Sequence, residues 1–280
     1  EHDGCEMQLR LVTAADGEAR QLEAVRQDRG VYDLPPGLPR TRSLARTVVF
    51  NAPEAVFMDL PQLIEAAPPE APYLAVNTRP WPGAVAVYRS ATLDGFARLA
   101  EVGSPAGIGT LAFDLYPGPV SRFDRANEAY VDLASGALRS ITDLELFAGG
   151  NALAVESAPG VWEVLQAAEA ELISPGRYRL SRLLRGQRGT EGAQGNPAPA
   201  GARVVVLDQN VAPLPVTRAD LGIAYNWRVG PASDPVASES YTAASFTPAG
   251  AGLRPFSVVH VEQPFRTRRV PGDLTIRWTR

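Results

Sequence analysis

The chain has no lysine: all 27 of its basic residues are arginine. Without lysine, a phosphate-cradling loop of the Gly-x-x-x-x-Gly-Lys-Ser/Thr type cannot be assembled. Arginine throughout reads as the codon composition of a GC-rich bacterial genome rather than as a binding device. Cysteine is almost as scarce. Cys5 stands alone, which excludes an internal disulfide and a cysteine-based zinc site. The 2 histidines, His2 and His260, lie at opposite ends of the sequence. A Ser–His–Asp triad would depend on His260, and no Gly-x-Ser-x-Gly turn accompanies it. A Cys5–His2 pair would sit beside the chain start, where order is weak. No run reaches the roughly 18 consecutive apolar residues that cross a bilayer as a helix. A net charge of −4 supplies no cationic footprint for nucleic acid or an anionic membrane. The opening EHDGCEMQ has neither an initiator methionine nor a signal-peptide pattern, so the chain is expected to be an excised piece of a longer polypeptide.

What the sequence has in abundance is turn chemistry. Gly and Pro number 25 each and fall between short apolar runs, within a chain that is 45% hydrophobic and 21% charged. That distribution predicts many strands joined by turns. At 280 residues the chain is long enough for two or three modules with their own cores. The expected fold is mainly β, in several short-stranded sandwich-like or barrel-like modules. A hairpin is predicted from runs at 7–13 and 20–27 around Asp16–Gly17, followed by a linker at 33–42 stiffened by Pro35, Pro36 and Pro39. Strands are predicted at 47–50, 55–60, 73–77, 85–89, 96–102, 109–115, 130–133, 138–141, 152–156 and 161–168. Residues 62–67 suit one helical turn, and 167–173 read as strand rather than helix. Further strands are expected at 211–216, 224–229, 240–246 and 258–261. Leu274, Ile276 and Trp278 alternate with polar residues at the end, which resembles the opening of a fibronectin type III module. The expected divisions are 1–45 (the end of a preceding domain and linker), 46–250 (β-rich, with a split near 150–175) and 251–280 (the fibronectin-like start).

The chain is organised around residues 178–207. Tyr178, Leu180 and Arg182 alternate with Arg179, Ser181 and Leu183, as on a two-faced strand. An elbow follows, built from Arg185, Gly186, Gly189, Thr190 and Glu191, then an apolar strand ending at Leu207. No lysine and no following helix support a phosphate loop there. Arg177, Arg179, Arg182, Arg185 and Arg188 could gather an anion, but Glu169, Glu171 and Glu191 lie close enough to neutralise them. The preferred reading is a solvated strand face leading into a structural turn.

Chemistry-bearing patterns are sparse. Asp114, Asp124, Glu145, Glu156 and Glu163 could pair for glycoside hydrolysis, yet none has a recognisable setting and a surface position is the default. Asp143–Glu145 and Asp124–Glu128 are poor calcium loops. Tyr73, Trp81 and Tyr88 suit either a sugar-binding platform or, preferably, core positions. No catalytic residue, cofactor or metal is expected, and no enzymatic activity.

The runs PYLAVNTRPWPGAVAVYRS, LFAGGNALAV, VWEVLQAAEAELISPGRYRLSRLLRGQRGTEG, AGARVVVLD and NWRVGP together resemble the C-terminal half of the baseplate "megatron" tail protein of gene transfer agents and related siphophages. LLRGQRGTE, at 183–191, carries most of the likeness, which extends over 48–280. The first forty-odd residues look like the end of the hub-like domain preceding this region in that family. Its upstream TIM-barrel, glycosidase-like domain has no counterpart in this chain, so no enzymatic role carries over. The resemblance implies a structural role at a phage-like tail tip, within a particle assembled in the bacterial cytoplasm. It further implies a homotrimer contacting the hub and the distal tail ring, in an assembly that touches the host surface and delivers DNA. A carbohydrate-binding module of a cell-wall hydrolase, using Tyr73, Trp81 and Tyr88 on a cell-surface glycan, is the alternative. No nucleic acid binding by this segment is expected.

Overall fold

A computed structural model describes residues 8–17, 19–27, 50–255, 259–262 and 277–279. Among the described residues strands take 43% and helix 8%, so the fold is mainly β. It divides into two units, 1–48 and 49–280. In the first, β1 (Leu9–Ala15) and β2 (Gln21–Arg26) form the expected antiparallel hairpin, with a bulge between Leu11 and Thr13. The expected 33–42 linker, Cys5 and His2 lie outside the described residues.

The second unit contains β3 (Glu54–Met58), β4 (Tyr73–Asn77), β5 (Val85–Ser90), β6 (Ala97–Val102), β7 (Ile108–Leu111) and β8 (Ala129–Leu133). A short helix α1 (Asp143–Phe147) precedes β9 (Ala152–Ala158), β10 (Val161–Ser174) and β11 (Arg177–Leu184). Then come β12 (Arg203–Val206), β13 (Ala212–Pro213), β14 (Tyr225–Pro231) and β15 (Thr242–Phe246). Finally β16 (Val259–Glu262) pairs antiparallel with β17 (Arg277–Thr279). Leu274 and Ile276, and the side chain of Trp278, lie outside the description, and so does the fibronectin-like reading that rested on them.

Six antiparallel strands close into a barrel in the order β10-β11-β8-β7-β12-β9. Period-two alternation fills it: Ala129, Val131 and Leu133 from β8, Leu153 and Val155 from β9, and Val204 and Val206 from β12 all point inward. Closure removes the free edges that an open sheet would expose. The outer face of one side is buried too. Ile108, Ala154, Val164 and Val205 pack against Val56, Met58, Tyr73 and Ala75 of a three-stranded sheet, β13-β4-β3. The opposite face of that sheet, through Leu74 and Val76, meets Val85, Val87, Trp227 and Val229 of a four-stranded sheet, β15-β14-β5-β6. β4 is therefore buried along its whole length, which accounts for its run of apolar residues without alternation.

Three expectations need correction. Residues 138–141 form no strand; they lead into α1, whose N-cap Thr142 and Glu145 form a reciprocal capping box. The strand predicted at 211–216 shrinks to Ala212–Pro213, because Pro213 and Pro215 have no N–H to donate to a ladder. The alternation predicted through 178–183 breaks at Arg182, which adopts a left-handed φ of 51°. Tyr178, Leu180 and Leu183 consequently share the barrel interior, and Arg182 is left outside.

Candidate functional site

The elbow after β11 is where the sequence reading and the tertiary structure differ most. Arg185, expected on a solvated face, is 1% exposed. Its Nε donates to Glu163 Oε1 and its Nη2 to Glu163 Oε2, both at 2.7 Å, a two-pronged contact. Nη1 donates to the Tyr116 carbonyl at 2.8 Å and reaches Asp124 Oδ2 at 3.5 Å. Both carboxylates, expected at the surface, have fully buried side chains. Asp124 and Glu163 are thus the one pair from the five carboxylate candidates that meet at a shared partner. They meet there as counter-ions of a sealed guanidinium, not as an open acid–base pair.

Further donors surround this charge. Asp124 Oδ1 accepts from the Ala126 and Asn127 backbone N–H groups at 3.1 Å, and Oδ2 accepts from Asn127 Nδ2 at 2.8 Å. Glu163 Oε1 also accepts from the Gly186 backbone N–H at 3.0 Å. A buried charge cluster is tolerated only when its members are paired and hydrogen-bonded in this way. Space around it is tight: a Cβ on Gly118 would lie 2.0 Å from Asp124 Oδ2 and 3.2 Å from Arg185 Nη1.

The elbow itself is two short 3-10 turns, Gln187–Gly189 and Glu191–Ala193. Gly186 has a φ of 59°, and a Cβ there would come 2.6 Å from Glu191 Cα, so glycine is required on two counts. Thr190 is 7% exposed. Its Oγ1 accepts from the Val164 N–H at 2.9 Å and donates to the Gln187 carbonyl at 2.7 Å, tying the elbow to β10. Gly189 also has a positive φ, 82°.

The other candidates have separate structural duties. Asp114 accepts from the Ala200 N–H. Glu156 makes a two-pronged pair with Arg203; burial opposes its ionisation, but Arg203 and the Gly160 N–H together lower its pKa. Glu145 caps α1 and is held at about 2 by Arg139 first, then by the Thr142 N–H and hydroxyl. Of the arginines, Arg177 pairs with Asp132, Arg179 with Glu171 and Glu128, and Arg182 with Asp143 and Glu169. Glu169 and Glu171 thus neutralise neighbouring arginines as the sequence suggested.

Tyr73, Trp81 and Tyr88 form no common platform. Tyr73 is 0% exposed, in the core between barrel and sheet, where its hydroxyl accepts from the Leu63 N–H. Trp81 packs against the core of the outer two sheets, and its buried Nε1 has no partner among the described residues. Tyr88 is half-buried and edge-on to Tyr241, with ring centroids 6.0 Å apart.

Neither the burial of Arg185 nor its partners could be read locally, since Glu163 and Asp124 lie 22 and 61 residues away. The capping box of α1 was missed as well, though Thr142 and Glu145 three positions apart are the signal that could have found it. No curated protein matches the chain. Residues 106–205, which hold almost the whole barrel and the elbow, match the family model described as Rcc01698-like, C-terminal, a family named after a protein of a Rhodobacter gene transfer agent region.

Proposed function

We propose that this chain is a structural part of the tail tip of a phage-like particle, contributing to its hub, to contact with the host surface and to DNA delivery, without catalysis of its own. The observation that carries this reading is the family match over 106–205, because it coincides with the closed barrel and its elbow. The wider resemblance to baseplate megatron tail proteins points the same way. The physical character of the unit is compatible with a scaffold. Its barrel has no free edge, its elbow is anchored by a buried ion cluster, and two further sheets are layered on one side.

In this reading the chain assembles as a homotrimer about the tail axis, against the hub and the distal tail ring. A cell-surface glycan is the target of host contact, and this segment does not bind nucleic acid. The test is cryo-electron microscopy of intact particles from the producing cells. Three copies around the tail axis beside the distal ring are expected. Absence of the chain from purified particles, or normal assembly and DNA delivery after its deletion, overturns the reading.

A further inference from the structure

The elbow has a second, open side. A cleft of about 400 Å³ lies against it, floored by Trp162 and Thr190. The tip of the β9–β10 hairpin at Gly160 and Val161 makes one wall, and the segment from Ala249 to Pro255 makes another. That volume falls within the usual range of small-molecule sites, roughly 300–1,000 Å³.

Among the described residues, three ionisable ones line the cleft: Asp59, Arg188 and Arg254. Asp59 is already committed. Its Oδ2 accepts from the Ala249 N–H at 2.8 Å and its Oδ1 from the Ala251 N–H at 2.9 Å, so it pins the far wall. The two arginines are not neutralised in this way. Arg188 donates Nη1 to the Gln62 carbonyl at 2.8 Å. Among the described residues, neither Arg188 nor Arg254 has a carboxylate within 4.0 Å, whereas Arg177, Arg179, Arg182, Arg185 and Arg203 all do.

The backbone adds an independent indication. Arg188 has φ 57° and ψ 31°, the left-handed region. A glycine or asparagine would sit there with less strain, and such strain recurs where a side chain is held for function. The same residue also lines a second cleft of about 260 Å³ on the α1 side, with Gln166 and Gln187. Arg188 is thus held on the ridge between two hollows, with most of its five N–H donors free. A planar guanidinium in that state suits a carboxylate or phosphate group.

We propose that the cleft between the elbow and the 249–255 segment binds a small ligand presenting an oxyanion, either carboxylate or phosphate, on a body of about sugar size. Arg188 and Arg254 hold the oxyanion, and the Trp162–Val161 side receives the body. This does not depend on the tail-tip reading, since it rests on the cleft and its charges alone.

The test titrates the whole chain with glucuronic acid, glucose 6-phosphate, glucose and inorganic phosphate, following the Gly189 and Gly192 amide resonances and the Trp162 indole. Saturable shifts with glucuronic acid or glucose 6-phosphate, and none with glucose, are expected. Whichever of the two binds more tightly identifies the oxyanion as carboxylate or phosphate. Loss of one charge-assisted contact should weaken that binding about tenfold in Arg188→Gly and in Arg254→Ala. Arg188→Gly keeps the left-handed turn available, so its thermal midpoint reports whether the fold is intact. Equal binding of glucose, or affinities unchanged in both variants, overturns the charge assignment. Inorganic phosphate binding as tightly as glucose 6-phosphate overturns the sugar-sized body. No shift with either anionic sugar overturns the site.

Discussion

Arg185 grips Glu163 through both prongs of its guanidinium, Nε to Oε1 and Nη2 to Oε2, each 2.7 Å long, with neither side chain exposed to solvent. The contact ties the end of β11 to β10, and Asp124 extends it to the loop before β8. Breaking a buried pair by removing one partner strands the other charge without water. Arg185→Met should therefore destabilise the chain by about 3–5 kcal/mol. Arg185→Lys should lose less, since it retains the charge but not the fork. Equilibrium denaturation reads both, and an Arg185→Met variant as stable as the parent would contradict the burial argument.

Two nearby positions of the elbow should respond differently to substitution. Gly186 and Arg188 both have left-handed φ values, 59° and 57°. A side chain at Gly186 meets the Glu191 backbone and takes on the left-handed strain of about 1–2 kcal/mol. Gly186→Val should thus lower the thermal midpoint clearly. Arg188→Gly relieves strain and should leave stability within about 1 kcal/mol of the parent, on either side. Equal destabilisation by the two changes would show that the elbow tolerates no alteration for other reasons.

The cap of α1 should weaken in acid. Arg139, and then the Thr142 N–H and hydroxyl, hold Glu145 at about 2, below its ordinary 4.5. A depressed carboxyl contributes stability that is fully present above the unfolded value and is lost as pH falls through the folded one. The α1 cap should therefore be intact above about pH 4.5 and fail as pH drops toward 2. A side-chain carbonyl titration by nuclear magnetic resonance checks this. A Glu145 midpoint near 4.5 would remove the cap from the account.

Tyr241 should show the alkaline counterpart. Its ring lies over Gly230, where a Cβ would come 2.4 Å from Tyr241 Cγ, and its hydroxyl donates to the Pro231 carbonyl at 2.9 Å. Burial first, with Tyr88 and Asp234 adding, pushes the phenol up to about 12. A raised phenol favours the fold fully below the unfolded value near 10, and that contribution is lost as pH rises toward 12. Tyr130 and Tyr225 are raised as well, by their bonds to Glu128 and Asp220, so ultraviolet titration should be read for the tyrosine ionising near 12 that Tyr241→Phe removes. Gly230→Ala should cost about 1–3 kcal/mol by overpacking. A stable Gly230→Ala variant would mean that the ring has room to move.

Much of the architecture was legible along the chain. Glycine and proline marked the turns, and period-two alternation located β8 and β14 to within a residue or two. The helix α1 was missed, although the Thr142–Glu145 spacing could have signalled its start beside the apolar run at 138–141 that reads as strand. The elbow was located at Arg185 and Gly186 because glycine and proline interrupt every regular pattern there. These are local properties: backbone freedom, missing donors and side-chain period act within a few residues.

Burial of the individual members is not local. Tyr73 lies in a strand covered on both faces, because a barrel wraps one side of its sheet and a second sheet covers the other. The unbroken apolar run of β4 fits burial on both faces, but what covers each face is set by segments far away in the chain. Arg185 looked solvated because an arginine among arginines normally is. Only the closing of the barrel brings Glu163 and Asp124 to it from 22 and 61 residues away, and only together can these three charges leave water. The sequence by itself determined where the chain turns and which residues alternate. The tertiary structure decided which faces are covered and which charges are paired, because both depend on contacts between segments far apart in the chain.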